Sequence, residues 1–561
     1  MSGLLSPSMS SSSSNAWLFG PIPDLFFGSG LLYFIVLIAV TMAGSVDGGV
    51  LPAGTTSVLI LMFSGAHYGG TLLRVFEHSD QRRTYRIFTL HATVLMILVL
   101  LGALYSPTAG SLLITIYLTW SPWHYTGQNY GIAVMFLRRR GVEISPAAKN
   151  WLYASFVLSY LSVFVNFHFE GGIGQSDPLG YSADASSGFQ FVSLALPGVI
   201  RTVLLSIVGL AYLVAIGMSL FLLVRASNLK AVVPAGMVML TQSAWFAIPH
   251  LTNFAAIDTH IPALTLKGAG NFEAYFVWAA FGHAIQYLWI TAYYAKKDPR
   301  WSGMPIYFVK AFVFGNAIWA APLILMGPDT LGRPDYDGGL ALCVAAAVNI
   351  HHFIVDGAIW KLRNPKIAAV LLRNVEAVAQ DALAMSRSRW MRGTAWSFGG
   401  LFALTAVLPL IELEKRLPTA MQNRDYQEVE AILDRAALYG RDSSQYRTTL
   451  GNQLIKEQLP AAALPHFWRS LTLHPQPDGF LQVGVLNEKL RGTEFALLAW
   501  EKGLERFPND VELNQRLGLS LAKLRRMNQA RPYLERTLEL DPDNAAVRRA
   551  LDEIHAQPKG I

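Results

Sequence analysis

Long apolar runs broken by short polar clusters fill the first 411 residues. Crossing a bilayer core takes about 20 residues of helix. Eleven runs meet that length: roughly 26–44, 55–76, 87–105, 111–136, 151–169, 199–224, 231–252, 272–294, 305–327, 339–359 and 393–411. Gly, Pro and charged residues separate them, as turns require. The run 189–198 reads as a re-entrant or interfacial piece. Beyond residue 411 the pattern changes to shorter helical stretches that recur at a fixed spacing. The predicted fold is all-α: a polytopic transmembrane helical bundle followed by a soluble α-solenoid.

Charge follows the same break. Met1 to Ile411 carries 41 of the 83 charged residues, and the 150 residues from Glu412 to Ile561 carry the other 42. The first part is therefore far poorer in charge than soluble proteins, and the second resembles them. This excludes a purely soluble enzyme and a disordered chain. The single cysteine, Cys343, excludes an intrachain disulfide framework. The loop Lys and Arg residues alternate in number: 20 lie in the even-numbered junctions and three at most in the odd ones. By the positive-inside rule the even junctions and the N-terminus are cytoplasmic. Eleven crossings then place the C-terminal region outside, which in a bacterium is the periplasm. The net charge of +7 is explained by this topology and gives no reason to expect a nucleic-acid partner. Residues 1–25 contain a Ser-rich stretch with no basic n-region and read as a flexible cytoplasmic tail. The bundle is expected over 26–411, and a linker with a degenerate half-repeat over 412–442.

The last region, 443–561, repeats itself. Leu450-Gly451, Val483-Gly484 and Leu517-Gly518 are spaced 33 and 34 residues apart. An alanine follows each glycine by 12 residues (Ala463, Ala496, Ala530). A bulky apolar residue comes four later (Phe467, Trp500, Leu534), and a proline eight after that (Pro475, Pro508, Pro542). Helical periodicity alone does not put four positions in register three times. The pattern resembles the tetratricopeptide repeat, TPR, with Tyr426 to Leu438 as a half-repeat before it and Ala545 to Ala556 as a polar helix after it. The resemblance implies a concave groove for a protein or peptide partner, with a spacer or self-association module as the alternative.

The bundle holds ten of the thirteen histidines. Ionisable groups within a membrane are costly and usually functional. His67, His124, His283, His351 and His352 fall on helices 2, 4, 8 and 10, all of which run inward. At 1.5 Å per residue the five lie within about 3 Å of one level near the midplane. Polar neighbours accompany them: Gln128 after His124, Gln286 and Tyr287 after His283, and the stripe Asn349, His352 and Asp356. These suit groups that fix imidazole tautomers around a metal. Arg74, Glu77, His91 and Asp356 lie on the cytoplasmic side of that level, where a charge-paired layer or proton path would sit. His168, His250 and His260 read as interfacial, and His466, His474 and His555 as solvated. Trp17, Trp301 and Trp360 read as aromatic-belt anchors.

Clustered imidazoles without cysteine suit iron, zinc or copper. Five exceed what a simple catalytic zinc site needs, and non-haem iron or bis-histidine haem fits better. The paired histidine of NIHHFIVDG resembles, in kind, the histidine-rich integral-membrane di-iron oxygenases. That resemblance implies a metal-dependent oxidoreductase acting on a lipid-like substrate, although the HxxxH clusters of that group are absent. The plain alternative is that the histidines hydrogen-bond between helices and hold the bundle together. Two further classes remain. One is a lipid-linked glycosyltransferase or ligase, for which the first outer loop, SVDGGVLPAG, supplies only Asp47. The other is a non-catalytic membrane scaffold or assembly factor working through its repeats. Walker A, GxSxG and HExxH patterns are absent from the sequence.

Overall fold

The structure is a computed structural model that describes residues 16–42, 58–76, 85–170, 191–259, 272–298, 301–327, 329–331, 337–360, 365–373 and 388–556. It is helical throughout. Among the described residues the only β-type contact is an isolated parallel bridge between Phe169 and Leu196. Residues 191–197 are irregular rather than helical, so the described part of the 189–198 run forms no re-entrant helix. The first outer loop with Asp47, and also Glu77, His78 and His260, lie outside the described residues.

The chain divides into two units. The first comprises Met1–Ser182, Phe189–Pro322 and Leu342–Leu410. Its helices are α1 (Leu31–Met42), α2 (Ala66–Phe76), α3 (Ala92–Tyr105), α4 (Pro107–Arg139), α5 (Pro146–Phe167), α6 (Gly198–Ala226), α7 (Leu229–Gln242), α8 (Phe272–Lys296), α9 (Met304–Leu325), α10 (Asp337–Ile359), α11 (Pro365–Arg373) and α12 (Ser388–Ile411). A π-helical turn, Ile60–Gly65, leads into α2, and another, Ser243–Ala247, joins α7 to the helix Ile248–Thr259. Helix starts follow from local chemistry. Ser106-Pro107 and Ser145-Pro146 each place a serine at the N-cap and a proline in the first turn. The serine hydroxyls accept from Ala109 N–H and Ala148 N–H at 3.3 and 3.1 Å, satisfying donors the helix leaves free.

Helix occupies each of the eleven apolar ranges. By length and composition, six helices among the described residues can cross a membrane, or seven if the bent pair Pro21–Gly28 and Leu31–Ala39 is one span. The six are Ile87–Tyr105, Gly198–Ala226, Leu229–Thr252, Met304–Leu325, Leu340–Ile359 and Gly393–Gln422. Helices α4, α5 and α8 have the length, at 33, 22 and 25 residues, but carry many polar side chains. Those side chains point inward. Asn129 of α4 donates to Gln242 Oε1 of α7 at 2.9 Å, and Gln242 Nε2 donates to Thr126 Oγ1 at 2.8 Å and to Ser159 Oγ of α5 at 3.3 Å. The apolar side chains of α3, α6 and α12 point outward instead: Leu98, Leu210 and Leu404 are each more than half exposed. Such faces belong against lipid, and the unit is compatible with a membrane protein.

Small residues set the closest crossing. Gly65 and Gly69 face Ala311 and Gly315 of α9, four apart on each helix, and a Cβ at Gly69 or Gly315 would overlap the backbone across the interface. Asn316 extends the contact by donating to Leu61 O at 3.1 Å. Small-residue pairs of this kind let two backbones meet where no hydrophobic effect drives association. The crossing fixes the helix that carries His67.

The second unit comprises Ala183–Gly188, Leu323–Ala341 and Ile411–Ile561. Its described helices of twelve residues or more after α12 are α13 (Tyr426–Leu438), α14 (Ser444–Lys456), α15 (Pro460–Leu473), α16 (Pro477–Arg491), α17 (Thr493–Arg506), α18 (Val511–Lys523), α19 (Met527–Leu540) and α20 (Ala545–Ala556). The recurring sequence positions meet in space. Gly451 packs on Phe467, Gly484 on Trp500 and Gly518 on Leu534, within the pairs α14–α15, α16–α17 and α18–α19. Ala463, Ala496, Ala530 and Trp500 are fully buried in one apolar core that runs through all the pairs. His466 is buried in this unit rather than solvated, and burial lowers its pKa from the usual value. A polar clamp lies near its start. Arg469 donates to both oxygens of Asp329 at 2.8 and 2.6 Å, and also to Asp442, which Arg447 holds from the other side at 2.9 Å.

Candidate metal centre

Four of the five singled-out histidines converge. The imidazole of His67 lies 4.6 Å from that of His352 and 5.4 Å from that of His283, measured between ring centroids. His124 lies 5.0 Å from His283 and 5.2 Å from His352. The rings come from α2, α4, α8 and α10. One donor atom from each of His67, His283 and His352 lies within 4.8 Å of the others, and the same holds for His124, His352 and Asp356. Two donors on opposite sides of one ion, at bonds near 2.1 Å, are about 4.2 Å apart. A small contraction therefore brings either set onto an ion.

Hydrogen bonds fix which nitrogen is free in two of the rings. His67 Nδ1 is 2.6 Å from the carbonyl oxygen of Ser64, so Nδ1 carries the proton and donates it. The lone pair of His67 is thereby on Nε2. His352 Nδ1 is 2.9 Å from Thr71 Oγ1. Thr71 also contacts the Tyr287 hydroxyl at 2.6 Å and donates to Asp356 Oδ1 at 3.2 Å. Tyr287 itself donates to Asp356 Oδ1 at 2.7 Å and accepts from Trp360 Nε1 at 3.1 Å. With both hydroxyl protons used in this way, Thr71 Oγ1 accepts from His352 Nδ1. The lone pair of His352 is on Nε2.

The cluster also holds nitrogens with no partner. Both ring nitrogens of His283, Nε2 of His352 and Nε2 of His124 are buried without a hydrogen-bond partner. Each such group costs about 1–3 kcal/mol if nothing binds it. Rings wall the site: Tyr125 stacks on His283 at 4.2 Å, Phe353 on His124 at 4.4 Å, and Tyr68 packs against both His67 and His352. An enclosed set of neutral imidazoles with free lone pairs, each opposite nitrogen held by a backbone or hydroxyl oxygen where it is held at all, can take a transition-metal ion.

His351 does not join the cluster. Adjacent residues on a helix point about 100° apart, and His351 Nε2 lies 2.8 Å from Thr93 Oγ1 of α3. The hydroxyl of Thr93 already donates to Thr89 O at 2.7 Å, so His351 is the donor. Among the flanking residues, Tyr287 and Asp356 touch the site directly. Asn349 acts at one remove: it accepts from the Tyr68 hydroxyl at 2.7 Å. Gln128 donates to the backbone oxygen of His283 and to Gln286 Oε1, both at 3.2 Å, and Gln286 donates to Gly28 O at 3.2 Å. Neither glutamine reaches an imidazole nitrogen. Thr71 is the hub of the polar network, and its spacing four residues after His67 puts it on the same face. Trp360 is not a free anchor but a donor to Tyr287. Arg74 packs over Tyr294 at 4.1 Å and donates to its hydroxyl at 3.1 Å, whereas His91 is exposed. His168 and His250 are buried, and His168 Nε2 lies 3.1 Å from Thr119 Oγ1.

No protein-family model matches this chain, and no curated protein matches its sequence.

The geometry separates two neighbouring histidines. His352→Ala and His283→Ala are expected to lose bound metal on purification, since ligand loss removes affinity. His351→Ala is expected to retain the wild-type metal-to-protein ratio, measured by elemental analysis of the purified variants. Equal metal content in all three would contradict the assignment.

Proposed function

We propose that this chain is a multi-pass membrane protein whose bundle holds a non-haem metal ion for oxidoreductase chemistry on a lipid-like substrate, and whose C-terminal repeats are an external TPR receptor for a protein or peptide. The observation that carries the first half is the convergence of His67, His124, His283 and His352, three of which have buried nitrogens without a hydrogen-bond partner. Iron fits four imidazoles without thiolate, and an iron ion there supplies redox chemistry that no side chain of the site can. The chain's own part is to hold and enclose it: Ser64 and Thr71 orient two of the rings, and Tyr68, Tyr125 and Phe353 keep water out. Haem fits less well than a bare ion. The imidazoles contact one another edge to face, at 4.6 to 5.4 Å, which leaves no planar slot for a porphyrin between them.

Support for the second half comes from the recurring glycines, each of which packs on the bulky residue of its own helix pair. It is the contact the TPR pattern requires of those positions. Eleven spans with an inward N-terminus agree with the alternating Lys and Arg counts. They also agree with the Arg469–Asp329 ion pair. Asp329 lies in the junction between α9 and α10, which the charge count assigns to the outside. Its bond to Arg469 of α15 requires that junction and the repeats to share a side.

Metal analysis with an optical spectrum of the purified protein tests the site. About one iron per chain without a Soret band is the expected result; a metal-free protein, or a Soret band, would sink the reading. For sidedness, a reporter active only after export, fused behind Ile561, is expected to be active. Activity from a reporter that works only in the cytoplasm would reverse the topology.

A further inference from the structure

Asp356 follows His352 by one helical turn, and its two oxygens have different surroundings. Oδ1 is satisfied: Tyr287 donates to it at 2.7 Å and Thr71 at 3.2 Å. Oδ2 lies 3.3 Å from His352 Nε2 and 3.8 Å from His124 Nε2. Neither imidazole nitrogen has a hydrogen-bond partner. Proton counting at Thr71 leaves His352 Nε2 as a bare lone pair. In a buried site a carboxylate oxygen and a nitrogen lone pair that face each other repel unless a proton or a cation lies between them. A cation placed between them turns that repulsion into attraction.

The 3.3 Å separation is that of neighbouring ligands, and the 3.8 Å one needs a small contraction. An ion with bonds near 2.1 Å holds adjacent donors about 3.0 Å apart at right angles and about 3.4 Å apart at tetrahedral angles. We propose that Asp356 Oδ2 is itself a ligand of the ion held by His67, His124, His283 and His352, so that the site is four imidazoles closed by one carboxylate. This rests on the metal-site reading above. Tyr287 and Thr71 are then positioning residues: they occupy Oδ1 and so turn Oδ2 toward the imidazoles. The donor set also narrows the ion. Four neutral nitrogens and one anionic oxygen suit divalent iron, manganese or zinc, whereas monovalent copper favours softer sulfur donors. His352 belongs to both donor triads and has only one free nitrogen, so the triads describe one ion and not a pair.

The test is an infrared difference spectrum of the full-length purified protein, stripped with a chelator and titrated with Co2+ alone. The expected wild-type spectrum shows a shift of one pair of carboxylate stretching bands as Co2+ binds, together with imidazole bands. In Asp356→Asn the carboxylate bands should vanish from the difference spectrum, while Asp356→Glu should restore them. Tyr287→Phe should keep the bands, displaced, with Co2+ affinity weakened about 10–100-fold. Co2+ binding to the wild type with imidazole bands but no carboxylate change would overturn the ligand assignment and leave the metal site standing. Retention of the bands in Asp356→Asn would do the same. Failure of the wild type to bind Co2+ at all would overturn both. Should Asp356→Asn fail to fold, the wild-type spectrum alone still decides between the first two results.

Discussion

A polar atom buried inside a helical bundle has no water to fall back on, and the rest of this molecule is arranged around that constraint. Each buried donor or acceptor must meet a partner inside the protein or bind something brought in. Most do meet one. Gln242 ties α7 to α4 and α5, and Asn316 ties α9 to the turn before α2. Thr71, Tyr287 and Asp356 tie α2, α8 and α10 into a single network. The nitrogens of His124, His283 and His352 lack such partners and lie together in one cluster. Packing histidines would resemble His168, whose ring contacts Thr119 and accepts from Leu194 N–H at 3.3 Å. His283, with neither nitrogen partnered, does not.

The helices that carry the rings are held close by different means. The backbones of α2 and α9 meet through Gly65, Gly69, Ala311 and Gly315, which places His67 with little freedom. Around α8, large rings fill the space: Trp245 covers Gly282, and Tyr287 is fully buried. Rigid placement is what a metal site needs, since donors off by an ångström cannot share an ion. The repeat unit solves a different problem with a related device. Its glycines admit Phe467, Trp500 and Leu534 between paired helices, and its polar faces remain available to solvent or a partner.

Much of this was legible from residue order. The apolar runs mark where helices lie, because length and hydropathy are properties of a local segment. Depth along each helix was legible too, since rise per residue is constant, and it groups His67, His124, His283 and His352 correctly. Rotation about the helix was not. His351 and His352 share a depth, and only the neighbours of α10 decide that one faces Thr93 and the other the cluster. The role of Asp356 was half visible. Its spacing from His352 shows that the two share a face, but only the opposing Tyr287 and Thr71 reveal which oxygen is free. Trp360 and His466 were misread for the same reason: a position near a helix end or on a charged helix does not reveal what packs over it. The span count is the converse case. Several of the polar residues that lower the hydropathy of α4, α5 and α8, among them Thr126, Asn129, Ser159 and Gln286, are buried in the bundle.

The central claim is that four imidazoles from four helices bind one ion. X-ray absorption at the metal edge of the purified wild-type protein addresses it most directly. The account predicts a first shell of nitrogen and oxygen only, near 2.1 Å, with the outer-shell scattering that imidazole rings produce. A sulfur shell, or a first shell without imidazole scattering, would contradict it.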